Sequence, residues 1–207
     1  MLREHYTTVP IWLDQIIPYE GREYVGLHEV PLAAGPFLLP SFHSIEICAE
    51  LPPEKEFRHG IRYRQVNGLL VPVTKIFAAR VRGDSMINKA VYHGDIAFFL
   101  HSEFEHVDHG KILVIEKLGD EEGFGAWSLK RLIIEKPKSF RRNEFDEEID
   151  WEEPEVLVLR SHNPQVNPWR LDGRGRYRVR GIFLGSRRSR EIRLVDAETI
   201  LRHAAGE

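Results

Sequence analysis

The sequence predicts a mainly β fold with a short N-terminal arm and a C-terminal helix. Three observations carry this. Asn67-Gly68 sits between two apolar runs, Ile61–Val66 and Leu69–Val73, which is a strong short-range signal for a β-hairpin. Asp95–Leu100 and Ile112–Ile115 are continuous apolar runs of strand length. Helical spacing is sustained only near the end, where Leu194, Ala197, Leu201 and Ala204 recur within Leu194–Ala205.

In chain order, the first thirty residues hold Pro10, Pro18 and Gly21 and no helical period. They have room for a short strand or helix, but not for a helix-turn-helix DNA-binding domain. Pro31-Leu32-Ala33-Ala34-Gly35-Pro36 is small and proline-flanked, so it is expected extended and exposed. From Ser44 onward the pattern is β. The hairpin comes first, then alternating Ile76–Arg82, then the two apolar runs. Ala126–Glu135 follows as a strand, although Leu129, Leu132 and Ile133 also suit a helix. Val156–Leu159 and Tyr177–Leu184 complete the set, and no internal repeat is present.

Composition narrows the function classes. The chain has 207 residues, with 29 basic and 32 acidic side chains and a net charge of −3, which implies no global polyanion-binding surface. At 42% hydrophobic and 29% charged it has the make-up of a globular domain rather than a disordered chain. The single cysteine, Cys48, excludes an intrachain disulfide and fits a reducing compartment. The one long uncharged apolar stretch, Val30–Phe42, is too short for a bilayer and is broken by prolines. The residues Met1–His5 open no signal-peptide apolar core, so a cytoplasmic location without membrane attachment is expected.

Two charge blocks stand out. Glu144–Glu155 holds eight acids and no base, and Arg170–Arg193 holds nine arginines against Asp172 and Glu191. Such runs are ordinarily solvated surface. Arg174, Arg176, Arg178 and Arg180 alternate, which on a strand puts four guanidinium groups on one face. Opposite sign suggests that this face pairs with the acidic block, or with a dimer mate, rather than with nucleic acid.

The segment that carries chemistry is Val81-Arg82-Gly83-Asp84-Ser85-Met86, followed by Gly94-Asp95. A glycine before a serine permits a tight turn that presents a hydroxyl and bares neighbouring N–H groups. Serine needs a base to take its proton. Lys130, in Ser128-Leu129-Lys130-Arg131-Leu132, has apolar neighbours, and on a strand it shares a face with Ser128 and Leu132. Desolvation there would lower its pKa toward the range in which it serves as a general base. A Ser-His-Asp arrangement using Ser85 is the alternative, since such triads are recognised by geometry.

Further motifs follow in one order: Gly110-Lys111-Ile112-Leu113-Val114, Leu129-Lys130-Arg131, Asn163-Pro164 and Val179-Arg180-Gly181-Ile182-Phe183. Together with the serine segment, they resemble the LexA/UmuD family of self-cleaving serine–lysine peptidases over roughly Ala78–Arg188. The resemblance implies a LexA/UmuD-like β-fold with an arm at 1–43, a peptidase domain at 44–190 and a helical tail at 191–207. It implies Ser85 as nucleophile, Lys130 as base, backbone N–H groups of Asp84 and Ser85 as oxyanion hole, and Ala34-Gly35 as the bond cut. It also implies a homodimer, cleavage stimulated by a RecA-type filament on single-stranded DNA, an SOS or regulatory role, and a DNA polymerase as a further partner. Two other readings stand beside it: a LexA-like binding module that never cuts, and a DNA-binding regulator using the Arg174–Arg180 strand. The lack of a helix-turn-helix argues against direct DNA binding.

Other clusters point elsewhere less well. His93, His101, His106 and His109 lie near Glu103, Glu105 and Asp108, but their spacing matches no zinc pattern, so no metal or other cofactor is expected. Gly119–Gly125 lacks the phosphate-loop spacing and lysine. Trp12, Trp127, Trp151 and Trp169 are scattered and read as core or interface residues, not as a base-stacking platform.

Overall fold

In the computed structural model, the residues described are 16–33, 46–66, 69–72, 74–82, 86, 91–101, 109–117, 126–135, 138–142, 148–152, 156–162, 165, 167–171 and 177–205. In chain order the strands are β1 (Ile17–Tyr19), β2 (Arg22–Ala33), β3 (Ile47–Glu50), β4 (Tyr63–Val66), β5 (Leu69–Pro72), β6 (Ile76–Arg82), β7 (Ile96–His101) and β8 (Ile112–Lys117). They continue with β9 (Ala126–Glu135), β10 (Lys138–Arg142), β11 (Glu148–Glu152), β12 (Val156–Arg160), β13 (Trp169–Arg170), β14 (Tyr177–Arg187) and β15 (Leu194–Asp196). Helix α1 (Lys55–Arg58) follows β3, and α2 (Ala197–Ala205) follows β15. The chain is mainly β with a short C-terminal helix, as the sequence predicts.

Eleven strands form one sheet in the order β13-β12-β9-β8-β14-β7-β6-β2-β3-β15, with β1 on β2. One further pairing, β2 with β9, joins β2, β6, β7, β14, β8 and β9 into a closed ring. Pairing around the ring is antiparallel except where β2 lies parallel to β6 and β9.

The apolar runs are continuous because both faces of those strands are covered. From β6 and β7, Ile76, Ala78, Ile96 and Phe98 pack into one cluster with Val25, Leu27, Leu51 and Phe57. The alternate residues Phe77, Ala79, Val81, Ala97 and Phe99 pack into another with Met86, Val114 and Leu129. Strand β9 settles the helix-or-strand ambiguity in the same way. Leu129 belongs to that second cluster, while Leu132 joins a third with Leu113, Ile115, Leu159 and Val179. A period of two serves two cores, which a helix here could not do.

The hairpin signal holds: β4 and β5 pair with Val66 opposite Leu69. Three regions differ from expectation. The arm region contains β2, a twelve-residue strand inside the sheet rather than a short one. Its period is hidden because Tyr24 faces a cluster with Cys48, Ala197 and Ile200, while its neighbour Val25 faces the main core. Pro31 also obscures it, but the β2–β6 register breaks between His28 and Leu32, so the missing N–H falls in an irregularity that tolerates it.

The tail is helical only from Ala197. The Asp196 carboxylate accepts from the Thr199 N–H at 3.1 Å and caps the helix there. Leu194–Asp196 instead pairs with β3, Val195 opposite Cys48.

The acidic block also departs from expectation. Its part 148–152 is strand β11, paired with β10 so that Lys138 stands opposite Glu152 and Arg142 opposite Glu148. The arginine strand has another partner. Arg180 donates to the fully buried Glu116 carboxylate at 2.7 Å, and Arg178 is exposed. For Arg180 this corrects the expected pairing of the arginine face with the acidic block, and the backbone partner of the block's 148–152 is β10. Arg174, Arg176, 144–147 and 153–155 lie outside the described residues.

Candidate active site

The strand leading to the serine is fixed at its end. The Val81 N–H donates to the Asp95 carbonyl at 2.9 Å, and the Gly94 N–H donates back to the Val81 carbonyl at 2.8 Å. Gly94 has φ +85°, a conformation that L side chains rarely adopt, so glycine is required at this turn. Asp95 is almost fully buried. Its carboxylate accepts from the Tyr92 N–H at 2.9 Å and from Arg188 at 3.0 Å, and the Arg188 guanidinium stacks 4.0 Å over the Tyr92 ring. On the other side of the serine, Met86 is buried in the cluster with Val81 and Val91. Ser85 and Asp84 themselves lie outside the described residues, between these two anchored flanks.

Lys130 is brought in by β9, opposite Leu113 of β8. Its side chain is 1% exposed, on the face that carries Leu132 into the third core cluster. Its Nζ has no hydrogen-bond partner among the described residues. The Trp169 ring centroid lies 5.2 Å from Nζ, within cation–π range. Burial pushes the Lys130 pKa down to about 8. An amine so placed is partly neutral at mildly alkaline pH and can take a proton. Ser128, on the same face, is fully buried.

Between these two parts runs β2. Its last residue, Ala33, stands opposite Arg82 of β6 and opposite Ser128 of β9. An extended segment of the chain itself therefore lies between the strand that leads to Ser85 and the strand that carries Lys130. Ala34 and Gly35 follow directly in sequence and lie outside the described residues. Upstream on β2, the half-buried His28 meets the Phe77 ring edge-on at 5.4 Å and lies 6.1 Å from Trp127.

Other candidates are placed as follows. Burial pushes the Cys48 thiol up to about 11, which leaves it a poor nucleophile. His93 and His109 are exposed, and His109 Nδ1 accepts from the Ile134 N–H at 3.1 Å. No group of three or more His, Cys, Asp or Glu side chains among the described residues could hold a metal ion. His106, Glu103, Glu105, Asp108, Gly119–Gly125, Trp12 and Asn163-Pro164 lie outside them. Trp127 lines the second core cluster and Trp169 the third. No helix among the described residues is long and apolar enough to cross a membrane.

Sequence reasoning missed two members of this arrangement. Trp169 is a scattered tryptophan until the short β12–β13 pairing brings it to Lys130. The insertion of β2 beside β9 is non-local and parallel, and no local period announces it. The small Ala33-Ala34-Gly35 segment was the available hint.

The described residues thus form a mainly β fold in which the buried Lys130 lies on β9, the strand that pairs with the end of β2 at Ala33. Residues 43–139 match the model of the Peptidase S24-like family, which supports the resemblance to the LexA/UmuD-like peptidases. The match includes Ser85 and Lys130 and begins after Ala34-Gly35. No curated protein matches the chain.

Proposed function

We propose that this chain is a peptidase that cuts itself between Ala34 and Gly35, with Ser85 as nucleophile and Lys130 as base. The observation that carries the reading is the position of Ala33 opposite both Arg82 and Ser128. Ala34 is one residue beyond Ala33, Ser85 three beyond Arg82, and Lys130 two beyond Ser128. The small side chains of Ala34 and Gly35 let the bond approach the site closely.

In this mechanism neutral Lys130 takes the Ser85 Oγ proton as Oγ bonds to the Ala34 carbonyl carbon. The backbone N–H groups of Asp84 and Ser85 stabilise the oxyanion. The Ala34–Gly35 C–N bond breaks and the Gly35 amine leaves with the proton from Lys130. Water, deprotonated by the same lysine, then hydrolyses the Ala34 ester and leaves a free carboxylate. The covalent connection supplies the effective concentration, so no pocket for a second molecule is needed. With a pKa of about 8, only about a tenth of Lys130 is neutral at pH 7, which keeps the basal rate low.

By likeness to the LexA/UmuD family, the chain acts in the cytoplasm as a homodimer, with cutting stimulated by a RecA-type filament on single-stranded DNA. Its role then falls in the DNA-damage response or in transcriptional regulation, with a DNA polymerase as a further partner. Incubation of purified protein at pH 8–9 with intact-mass detection tests the peptidase. Two pieces that are absent in Ser85→Ala support it. A chain that stays whole, even with activator, points instead to a binding module.

A further inference from the structure

We infer that β1 and β2 are held by the rest of the chain as a bound peptide, so that cutting after Ala34 nicks the fold without releasing residues 1–34. The inference rests on the proposed cut for its biological setting, but the binding stands on the sheet alone.

Strand β2 is an interior strand. It pairs with β3 through Tyr24, Val25 and Gly26, with β6 through Leu27, His28, Leu32 and Ala33, and with β9 through Ala33. Ile16, Tyr24, Val25 and Leu27 are all buried, and two separate clusters depend on them. Ion pairs tie the same segment to the other side of the cut: Glu20 to Arg193 and Arg22 to Glu50, with Glu23 to Arg58 as a third. Tyr19 packs edge-on against His203 of α2 at 5.0 Å.

Three consequences follow. Breaking one peptide bond downstream of Ala33 removes none of these contacts and removes only the tether, which had supplied effective concentration. The new Ala34 carboxylate stays one residue beyond the end of β2, so the cut chain is occupied by its own product and turns over once. What cutting liberates is the Gly35 amino terminus and the segment that follows it. The ligand of the slot between β3 and β6 is therefore an extended peptide added as a parallel strand to β6, and its native occupant is this chain's own N-terminal piece.

The test uses the full chain carrying Ser85→Ala, with residues 38–42 replaced by the recognition sequence of a site-specific protease. Nicking by that protease is independent of the chain's own chemistry. Native gel filtration with mass detection at ~1 µM should show both pieces co-eluting at the size and far-UV spectrum of the intact chain. They should separate only in denaturant. Leu27→Ala in the same background should still fold when uncut, because the tether compensates. Once nicked, it should lose its N-terminal piece at least tenfold faster. A C-terminal piece that elutes alone, or a Leu27→Ala variant that holds its fragment as tightly as the parent, overturns the inference. Retention after external nicking upholds the inference whether or not the wild-type chain cuts itself, and a wild-type chain that stays whole refutes the peptidase reading alone.

Discussion

Lys130→Met should make this protein more stable at neutral pH while abolishing self-cleavage. The ammonium is 1% exposed and has no hydrogen-bond partner among the described residues, so folding strips its hydration and none of those residues replaces it. Its pKa falls from the ordinary 10.5 to about 8 on folding. Below pH 8 both states carry the proton and the full penalty is present, about 3 kcal/mol from the difference between the two values. Between pH 8 and 10.5 the unfolded chain binds more protons than the folded one, so stability rises with pH and the penalty fades. The Trp169 ring recovers part of it, about 1 kcal/mol. Methionine matches the volume without the charge, so a gain of about 2 kcal/mol is expected at pH 7. Urea titrations in the Ser85→Ala background, where the chain stays whole, measure it. The gain should shrink steadily from pH 8 to pH 10. A loss of stability, or a gain independent of pH, would refute the claim that Lys130 is buried against its own charge.

The same pKa governs rate. Self-cleavage without activator should climb about tenfold per pH unit below pH 8 and level off above about pH 9, whereas a midpoint near pH 6–7 would revive a histidine base. Gly181→Ala should lower the melting temperature by the equivalent of about 1–3 kcal/mol, because a Cβ there would meet Phe77 at 2.9 Å and the Leu100 carbonyl at 3.0 Å. Calorimetry reads this, and an unchanged transition would contradict the close approach. Arg180→Met should destabilise the fold by removing the guanidinium that donates to the buried Glu116 carboxylate, and Glu116→Gln in the same chain should restore part of the loss. Denaturant titration of the single and double variants decides it.

Much of the β architecture was legible because its signals are local. Asn67-Gly68 marked a hairpin, and the bounds Ile76–Arg82 and Ala126–Glu135 are those of β6 and β9. The two-sided burial of β7 showed as an unbroken apolar run, whereas β6 read as alternating although both its faces are buried. What escaped notice was non-local. Strand β2 owes its place to parallel partners some fifty and one hundred residues away, and Pro31 argued locally against it. Strand β11 was hidden by its acids, which read as solvated chain rather than as a strand with an antiparallel partner in β10. At the site, the motif around Ser85 and the apolar neighbours of Lys130 were visible. The Trp169 ring over Nζ was not, because a two-residue strand leaves no period to read.

The central claim is that the chain cuts itself at one bond with one serine. The most direct measurement is intact mass and N-terminal sequence of the wild-type protein, Ser85→Ala and Lys130→Met, followed through prolonged incubation at pH 9. In the wild-type, pieces of 34 and 207 − 34 = 173 residues should appear together, the larger beginning Gly35-Pro36-Phe37. Both variants should stay whole. A product that begins elsewhere, or one that persists in Ser85→Ala, contradicts the account.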